Sequence, residues 1–407
     1  MVREFSTSNL GCAMDKRTGL PIVGMVGGGQ LARMTQQAAI SLGQSLKVLA
    51  ADEGDAAALV ASDVVIGHHT DLDALIDFAR QVDVVTFDHE HVPGEHLLTL
   101  ATEGFVVRPA PTALGFAQNK LVMREMMAGL GVPGPAFAEV STVDDVVAFG
   151  GEHGWPVVLK ASRGGYDGKG VWMLDTAQQA REIVPELLEA GTDLLVEEKV
   201  AMKRELSALV ARSPFGQGAA YPVVETVQTN GINTEVLAPA PGLSESRVHE
   251  AQELALRIAS TLDVTGLLAV ELFETETGLL VNELAMRPHN SGHWTMDGSR
   301  TSQFEQHLRG VLDYPLGRTD LIAPACVMAN VLGAEVSPQM SPDERVHHLF
   351  ARFPEVKIHL YGKQDRPGRK LGHVNFIGDR MDDLRNRALL SAHWLSHAVW
   401  LDGDEIH

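Results

Sequence analysis

The sequence predicts a mixed α/β and α+β protein: an N-terminal domain built on a parallel sheet, a larger central region, and a small β-rich C-terminal domain. Three observations predict it. Between residues 20 and 112, short continuous apolar runs alternate with helical patterns, the signature of parallel strands buried on both faces. RELSALVAR (204–212) instead alternates apolar and polar residues, as an antiparallel strand does. The length of 407 residues accommodates two to three domains.

The elements follow in order. Residues 1–19 lack periodicity and read as a flexible leader. PIVGMVG (21–27) is the first strand, and a helix from 30 to 42 stops at Gly43, a helix C′ position. SLKVLAAD (45–52) and DVVIG (63–67) are strands; a helix near 71–80 leads to VDVVTFD (82–88), and VVRP (106–109) closes the unit. One helix is expected over 113–130, ending in the punctuation GLGVPGP. WPVVLKAS (155–162), the loop RGGYDGKG (163–170) and VWML form strand, loop and strand, followed by a helix at 176–190 and the strand DLLVEEKV (193–200). An amphipathic helix over 243–262 precedes two strands, LLAVELF and LLVNELA. Domain limits are therefore expected at 20–112, 113–312 and 313–407.

Composition narrows the function. Apolar content of 45% and charged content of 21% suit a soluble globular chain. A net charge of −20 disfavours nucleic acid and anionic membranes as partners, since both are polyanionic. Two cysteines make neither a disulfide framework nor a zinc site. With no run of eighteen apolar residues and no signal-like leader, a cytoplasmic enzyme is the expectation.

Several motifs carry chemistry. GGGQLA (27–32) follows a strand and opens a helix, with Asp52 twenty residues beyond Ala32. Read literally this is a dinucleotide fingerprint; read loosely it is a tight turn offering backbone N–H groups to another anion. Lys160 ends an apolar strand directly before four glycines in seven residues, with Arg163 and Lys169 beside them. Such a loop lets backbone approach phosphate and can open and close.

Glu271 and Glu283 flank TETG (275–278), and a hairpin centred near 277 places them opposite each other, with Cβ atoms about 4.5–5.5 Å apart. Two carboxylates on an apolar face repel unless a cation lies between them, and oxygen-only ligands favour Mg²⁺ or Mn²⁺. In that register Asn282 faces away unless a bulge turns it. Arg287, His289, Asn290 and His293 then cluster where the strand runs out.

With these residues in view the chain resembles the ATP-grasp superfamily, and within it the 5-(carboxyamino)imidazole ribonucleotide synthases of purine biosynthesis. The resemblance covers about residues 20–378 and rests on VGGGQLARM, TFDHEHVP, GGYDGKG, VNELAMRPHNSGHWT and YGKQDRPGRKLGHVN in that order. It implies a Rossmann-like first domain, an ATP-grasp domain of two subdomains clamping ATP, and a homodimer. By this resemblance ATP would meet Arg108, Lys120, Lys160, the loop Gly165, Tyr166, Asp167, Gly168, Lys169, Gly170 and Val171, then Glu197, Glu198, Lys199, Val200, Glu205, Gln228 and Asn282. Glu271 and Glu283 would hold magnesium. Gln30, Leu31, Glu90 and Asn290 would touch 5-aminoimidazole ribonucleotide, with Lys363, Arg369 and Lys370 at its phosphate. Asp167, Lys169, Arg287 and His289 would surround bicarbonate and the reacting amine, Asp167 as base. The sequence departs from the family pattern at Ala32, Asp88, Lys169 and Gln228.

The implied reaction joins ATP, bicarbonate and 5-aminoimidazole ribonucleotide through carboxyphosphate, releasing ADP and phosphate. Other readings are a different ATP-grasp carboxylate–amine ligase (formate-dependent glycinamide ribonucleotide formyltransferase or biotin carboxylase type), an NAD-dependent dehydrogenase, or a silent nucleotide-binding regulator.

Overall fold

The computed structural model describes residues 14–165 and 169–403. The N-terminal strands β1 (Ile22–Val26), β2 (Ser45–Ala50), β3 (Val64–Ile66) and β4 (Val84–Phe87) form a parallel sheet in the order β3-β2-β1-β4. Their apolar runs are buried by helices, as continuous hydrophobicity demands. The helix Gln30–Leu42 ends at Gly43 in the left-handed conformation, φ 65°, with its N–H on the last carbonyls. The 106–109 run contributes a single bridge, Val85 with Val107.

Two expectations need correction here. The leader is anchored from Asp15 onward: Asp15 accepts from Arg17 and from Ser45 on β2, closing a turn with Gly19 and Leu20. The helix expected over 113–130 is two, Pro111–Gln118 and Lys120–Gly129. Asn119 sits between them in extended conformation, its side chain accepting the N–H groups of Leu121 and Val122. An asparagine that caps a new helix also ends the old one.

Strands β5 (Phe137–Val140), β6 (Val157–Ala161), β7 (Val171–Leu174) and β8 (Leu194–Glu198) make a four-stranded antiparallel sheet in the order β5-β8-β6-β7. The helices Val143–His153 and Ala177–Glu189 cover it over an apolar core.

The remaining strands are β9 (Arg204–Arg212), β10 (Gly218–Ala220), β11 (Val224–Thr229), β12 (Ile232–Ala238), β13 (Gly266–Glu274), β14 (Leu279–Ala285), β15 (Ala325–Leu332), β16 (Lys357–Leu360) and β17 (Lys370–Gly378). They form one antiparallel sheet, β14-β13-β9-β11-β12-β15-β17-β16, with β10 on β9. Thus the sheet runs across the limit expected at 312/313: β15 pairs with β12, and the C-terminal strands extend the central sheet. The C-terminal helix Met381–His397 packs its buried leucines and Trp394 on this extension.

Candidate functional site: a cleft between two antiparallel sheets

A cleft of about 990 Å³ opens between the four-stranded sheet and the β9–β14 end of the large sheet, and reaches the glycine loop of the first domain. Its walls alternate charge with apolar surface: Val158, Val171 and Met173 on one side, Phe273 and Leu284 on the other.

Lys160 stands on β6, two residues from Val158, so both face the cleft. Its Nζ lies 2.7 Å from Glu197 Oε2 and 3.3 Å from Asn282 Oδ1. Glu197, only 2% exposed, is held from its other side by Arg124 Nε at 2.6 Å, and Arg124 also donates to the Val281 carbonyl. Burial alone would raise the Glu197 carboxyl; Lys160 and Arg124 outweigh it and keep the group below its ordinary value. Glu197 is therefore the counter-ion that aims Lys160. Glu198 accepts the Ala136 N–H, while Lys199 and Val200 line the cleft at the strand's end.

The hairpin places Glu271 opposite Glu283. Between Glu271 and Leu272 the register shifts, so Leu272 pairs with Val281 and Asn282 becomes the extra residue of a bulge. The bulge turns Asn282 into the cleft beside Lys160. Lys120 begins its helix at the Asn119 cap, its backbone N–H tied to the Ser162 carbonyl, and its Nζ lies 2.8 Å from Glu283 Oε1. Burial, then Glu283 and Glu205, push Glu271 well above the usual carboxylate range. Burial likewise lifts Glu205, against the bond from Gln228 and the field of Lys160.

Beyond the glutamates the cleft continues to Arg287, His289, Asn290 and Lys370. Arg287 Nε lies 2.6 Å from Glu90 Oε2, which fixes the guanidinium. Burial, reinforced by Arg287 and Lys370, lowers His289 to about 3, so the ring is neutral. Asn290 joins Asn233 and Asn330 in an amide network.

Gln30 and Leu31 line the far end. Gly27, at φ 104°, has no room for a Cβ, which would meet Asp88 and His89 at 2.9 Å; at Gly29 a Cβ would meet Asp88 Oδ2 at 2.5 Å. These glycines are required by Asp88 and His89 pressing on the turn. Asp52 caps its own turn by accepting the Gly54 N–H, so the literal dinucleotide reading loses both its supports. Lys363 donates to Gln30 Oε1, joining the C-terminal loop to the glycine turn.

Several expected residues lie elsewhere. Arg108 is outside the cleft: the edge bridge at Val107 turns it toward the carbonyl of Val311, 2.5 Å from Nη1, at a helix C-terminus. Arg369 bonds the Gln364 carbonyl within its own loop and, like Lys363, is off the cleft wall. Gly165 lines the cleft, whereas Gly170 accepts from Ala161 to close the turn, and Lys169 lies beside it off the wall. Tyr166, Asp167 and Gly168 fall outside the described residues. Arg124, Asp88, His89 and His91 were not anticipated: Arg124 acts through partners 73 and 157 residues away, which no local pattern reports. TFDHEHVP carried the only available signal for Asp88, His89 and His91.

Three family models divide the chain: a ribonucleotide synthetase preATP-grasp domain at 20–118, an ATP-grasp domain at 125–304, and a phosphoribosylaminoimidazole carboxylase C-terminal domain at 326–387. The N5-carboxyaminoimidazole ribonucleotide synthase of Mycobacterium tuberculosis is 59% identical over 388 residues, covering 95% of this chain and 90% of that one. The chain belongs to the N5-carboxyaminoimidazole ribonucleotide synthase family. Among solved structures, the synthetase from Thermus thermophilus superimposes with a TM-score of 0.82 at 36% identity, over 92% of this chain and 98% of the other. The Aspergillus clavatus synthase in complex with ADP and 5-aminoimidazole ribonucleotide gives 0.82 at 30% identity, over 92% and 98%. Family membership excludes the dehydrogenase and regulator readings. Among the described residues no helix is long and apolar enough to cross a membrane.

Proposed function

We propose that the protein carboxylates 5-aminoimidazole ribonucleotide at its exocyclic amine, using ATP and bicarbonate and releasing ADP and phosphate, in purine biosynthesis. One observation carries this reading. A single cleft is lined by Lys120, Lys160, Glu271 and Glu283, by Arg287 and, at its far end, by Gln30, to which Lys363 donates from off the wall.

The triphosphate would lie against Lys120 and Lys160, with the adenine between Met173 and Phe273 near 198–200. Lys160 neutralises charge on the transferring phosphoryl group, and Glu197 keeps it aimed. A bicarbonate oxygen attacks the γ-phosphorus and ADP leaves. The amine nitrogen then bonds to the carbonyl carbon as phosphate departs, and the amine proton passes to a base, for which Asp167 is the candidate. Arg287, locked by Glu90, holds the anionic intermediate, and neutral His289 beside it adds no second charge. The glycine loop excludes water from a hydrolysable intermediate. Gln30, Leu31, Glu90 and Asn290 would hold the ribonucleotide, with Lys363, Arg369 and Lys370 toward its phosphate.

The residues fit a divalent ion. No group of three or more His, Cys, Asp or Glu among the described residues could hold a metal, but Mg²⁺ commonly takes one or two carboxylates and completes its shell with phosphate oxygens and water. The crowding that lifts Glu271 is relieved by a cation, and Lys120 supplies a positive charge to Glu283 at 2.8 Å. Such an ion would screen the γ-phosphate during transfer. A cytoplasmic homodimer completes the proposal, on the family resemblance.

ADP release tests it. With ATP and bicarbonate, 5-aminoimidazole ribonucleotide should elicit ADP and glycinamide ribonucleotide should not; the reverse preference would overturn the assignment.

A further inference from the structure

Ser207 sits on β9 directly across from Glu271 on β13, which in turn faces Glu283 on β14. Directly opposed residues share a face of the sheet, so a serine hydroxyl stands beside the two carboxylates. It is fully buried and reaches Ser291 Oγ at 2.7 Å. Ser291, 1% exposed, lies 2.8 Å from His289 Nδ1, and His289 Nε2 lies 3.3 Å from Glu271 Oε1. The chain of contacts therefore returns to the strand pair from which it started.

The direction of these bonds can be assigned. The Ser291 backbone N–H, a donor without alternative, points at His289 Nδ1 from 3.4 Å. Nδ1 is then the acceptor, and a neutral imidazole with Nδ1 accepting carries its proton on Nε2. The Ser291 hydroxyl also donates to Nδ1, which leaves its oxygen to accept from Ser207. The Nε2 atom that then carries the proton lies 3.3 Å from Glu271 Oε1. Gln303 prevents the segment from shifting: its amide accepts the His289 N–H at 2.9 Å and donates to the His289 carbonyl at 2.8 Å.

We infer that Ser207, Ser291 and His289 form a one-way hydrogen-bond relay that orients the Glu271 carboxylate toward the divalent ion, Ser207 and Ser291 acting as positioning residues. The inference rests on the metal reading given above. Partners of this kind set the direction and basicity of a metal ligand, and their loss costs about 10–100-fold in metal affinity. The relay also explains a serine among the apolar residues of RELSALVAR: an alanine there would pack as well but would leave Ser291 without its donor.

Two measurements test it on the full-length protein. In protein labelled with ¹⁵N in its histidine rings, the His289 resonances, assigned by their loss in His289→Gln, should report the proton on Nε2. A proton on Nδ1 in the wild-type protein would overturn the relay whatever the metal result. Mn²⁺ binding with ADP present, followed by electron paramagnetic resonance, should weaken about 10–100-fold in Ser207→Ala and Ser291→Ala, with Ser207→Thr closer to wild type. Wild-type affinity in both alanine variants would also overturn it. Wild-type protein that binds no Mn²⁺ in a Glu283-dependent way would instead contradict the metal reading, leaving the ring resonances to decide the relay.

Discussion

Lys120 Nζ and Glu283 Oε1 lie 2.8 Å apart, although 163 residues separate them in sequence. The pair ties the start of a helix to the bulged strand that carries half of the proposed metal site. It is partly exposed, at 14% and 39% of the two side chains, so its contribution to stability is small. Replacing Glu283 with alanine should change unfolding free energy by no more than about 1 kcal/mol. It should lower Mg²⁺-dependent ADP release by about 10³-fold or more. Calorimetry and steady-state turnover check both halves; a variant with near-normal turnover would remove Glu283 from the metal site.

Glu197 behaves in the opposite way. Its carboxylate is sealed between Arg124 and Lys160, and removing it leaves two buried cations without a counter-ion. Glu197→Ala should cost about 3–5 kcal/mol in urea unfolding, several times the loss in Glu283→Ala. Equal stabilities for the two variants would refute the counter-ion role.

Asp88 gives a pH signature. Burial raises it to about 6, against the opposing fields of Arg287 and Lys363 and the N–H groups of Gly29 and Ala32. A carboxyl raised in the folded state binds more protons folded than unfolded between its ordinary value near 4 and 6, so its contribution to stability falls as pH rises through that window. At pH 7 the wild type carries a penalty that Asp88→Asn escapes. The variant's stability advantage should therefore be about 2 kcal/mol larger at pH 7 than at pH 4. An advantage that is the same at both pH values would contradict the shift.

Lys363 bridges the C-terminal loop to Gln30 across 333 residues of sequence. Lys363→Ala should raise the KM for the ribonucleotide about 10–100-fold, the worth of a charged hydrogen bond, with the KM for ATP changed less than about twofold. Equal effects on both substrates would assign the lysine to the fold rather than to the ribonucleotide.

What the sequence discloses follows the range of the interactions involved. Strand and helix patterns are local, and the parallel sheet, the Gly43 cap and the opposed Glu271 and Glu283 were legible from periodicity and turn position. The Asn119 break was legible too, but a capping asparagine is easily absorbed into a continuous amphipathic pattern. Asn282 needed the bulge, and a one-residue register shift leaves no mark in composition. The partner of Arg108, the Val311 carbonyl, is backbone and has no side-chain signature, so that contact could not be read from the sequence. The Arg124–Glu197–Lys160 triad and the Ser207–Ser291 pair form only when distant strands meet, so they became visible with the fold.

The claim at the centre is that bicarbonate attacks the γ-phosphate within the Lys160–Glu283 half of the cleft. Turnover in ¹⁸O-labelled bicarbonate, with the released phosphate examined by mass spectrometry, tests it most directly. Each phosphate should carry one oxygen that came from bicarbonate. Phosphate that carries only ATP and water oxygens would contradict the account.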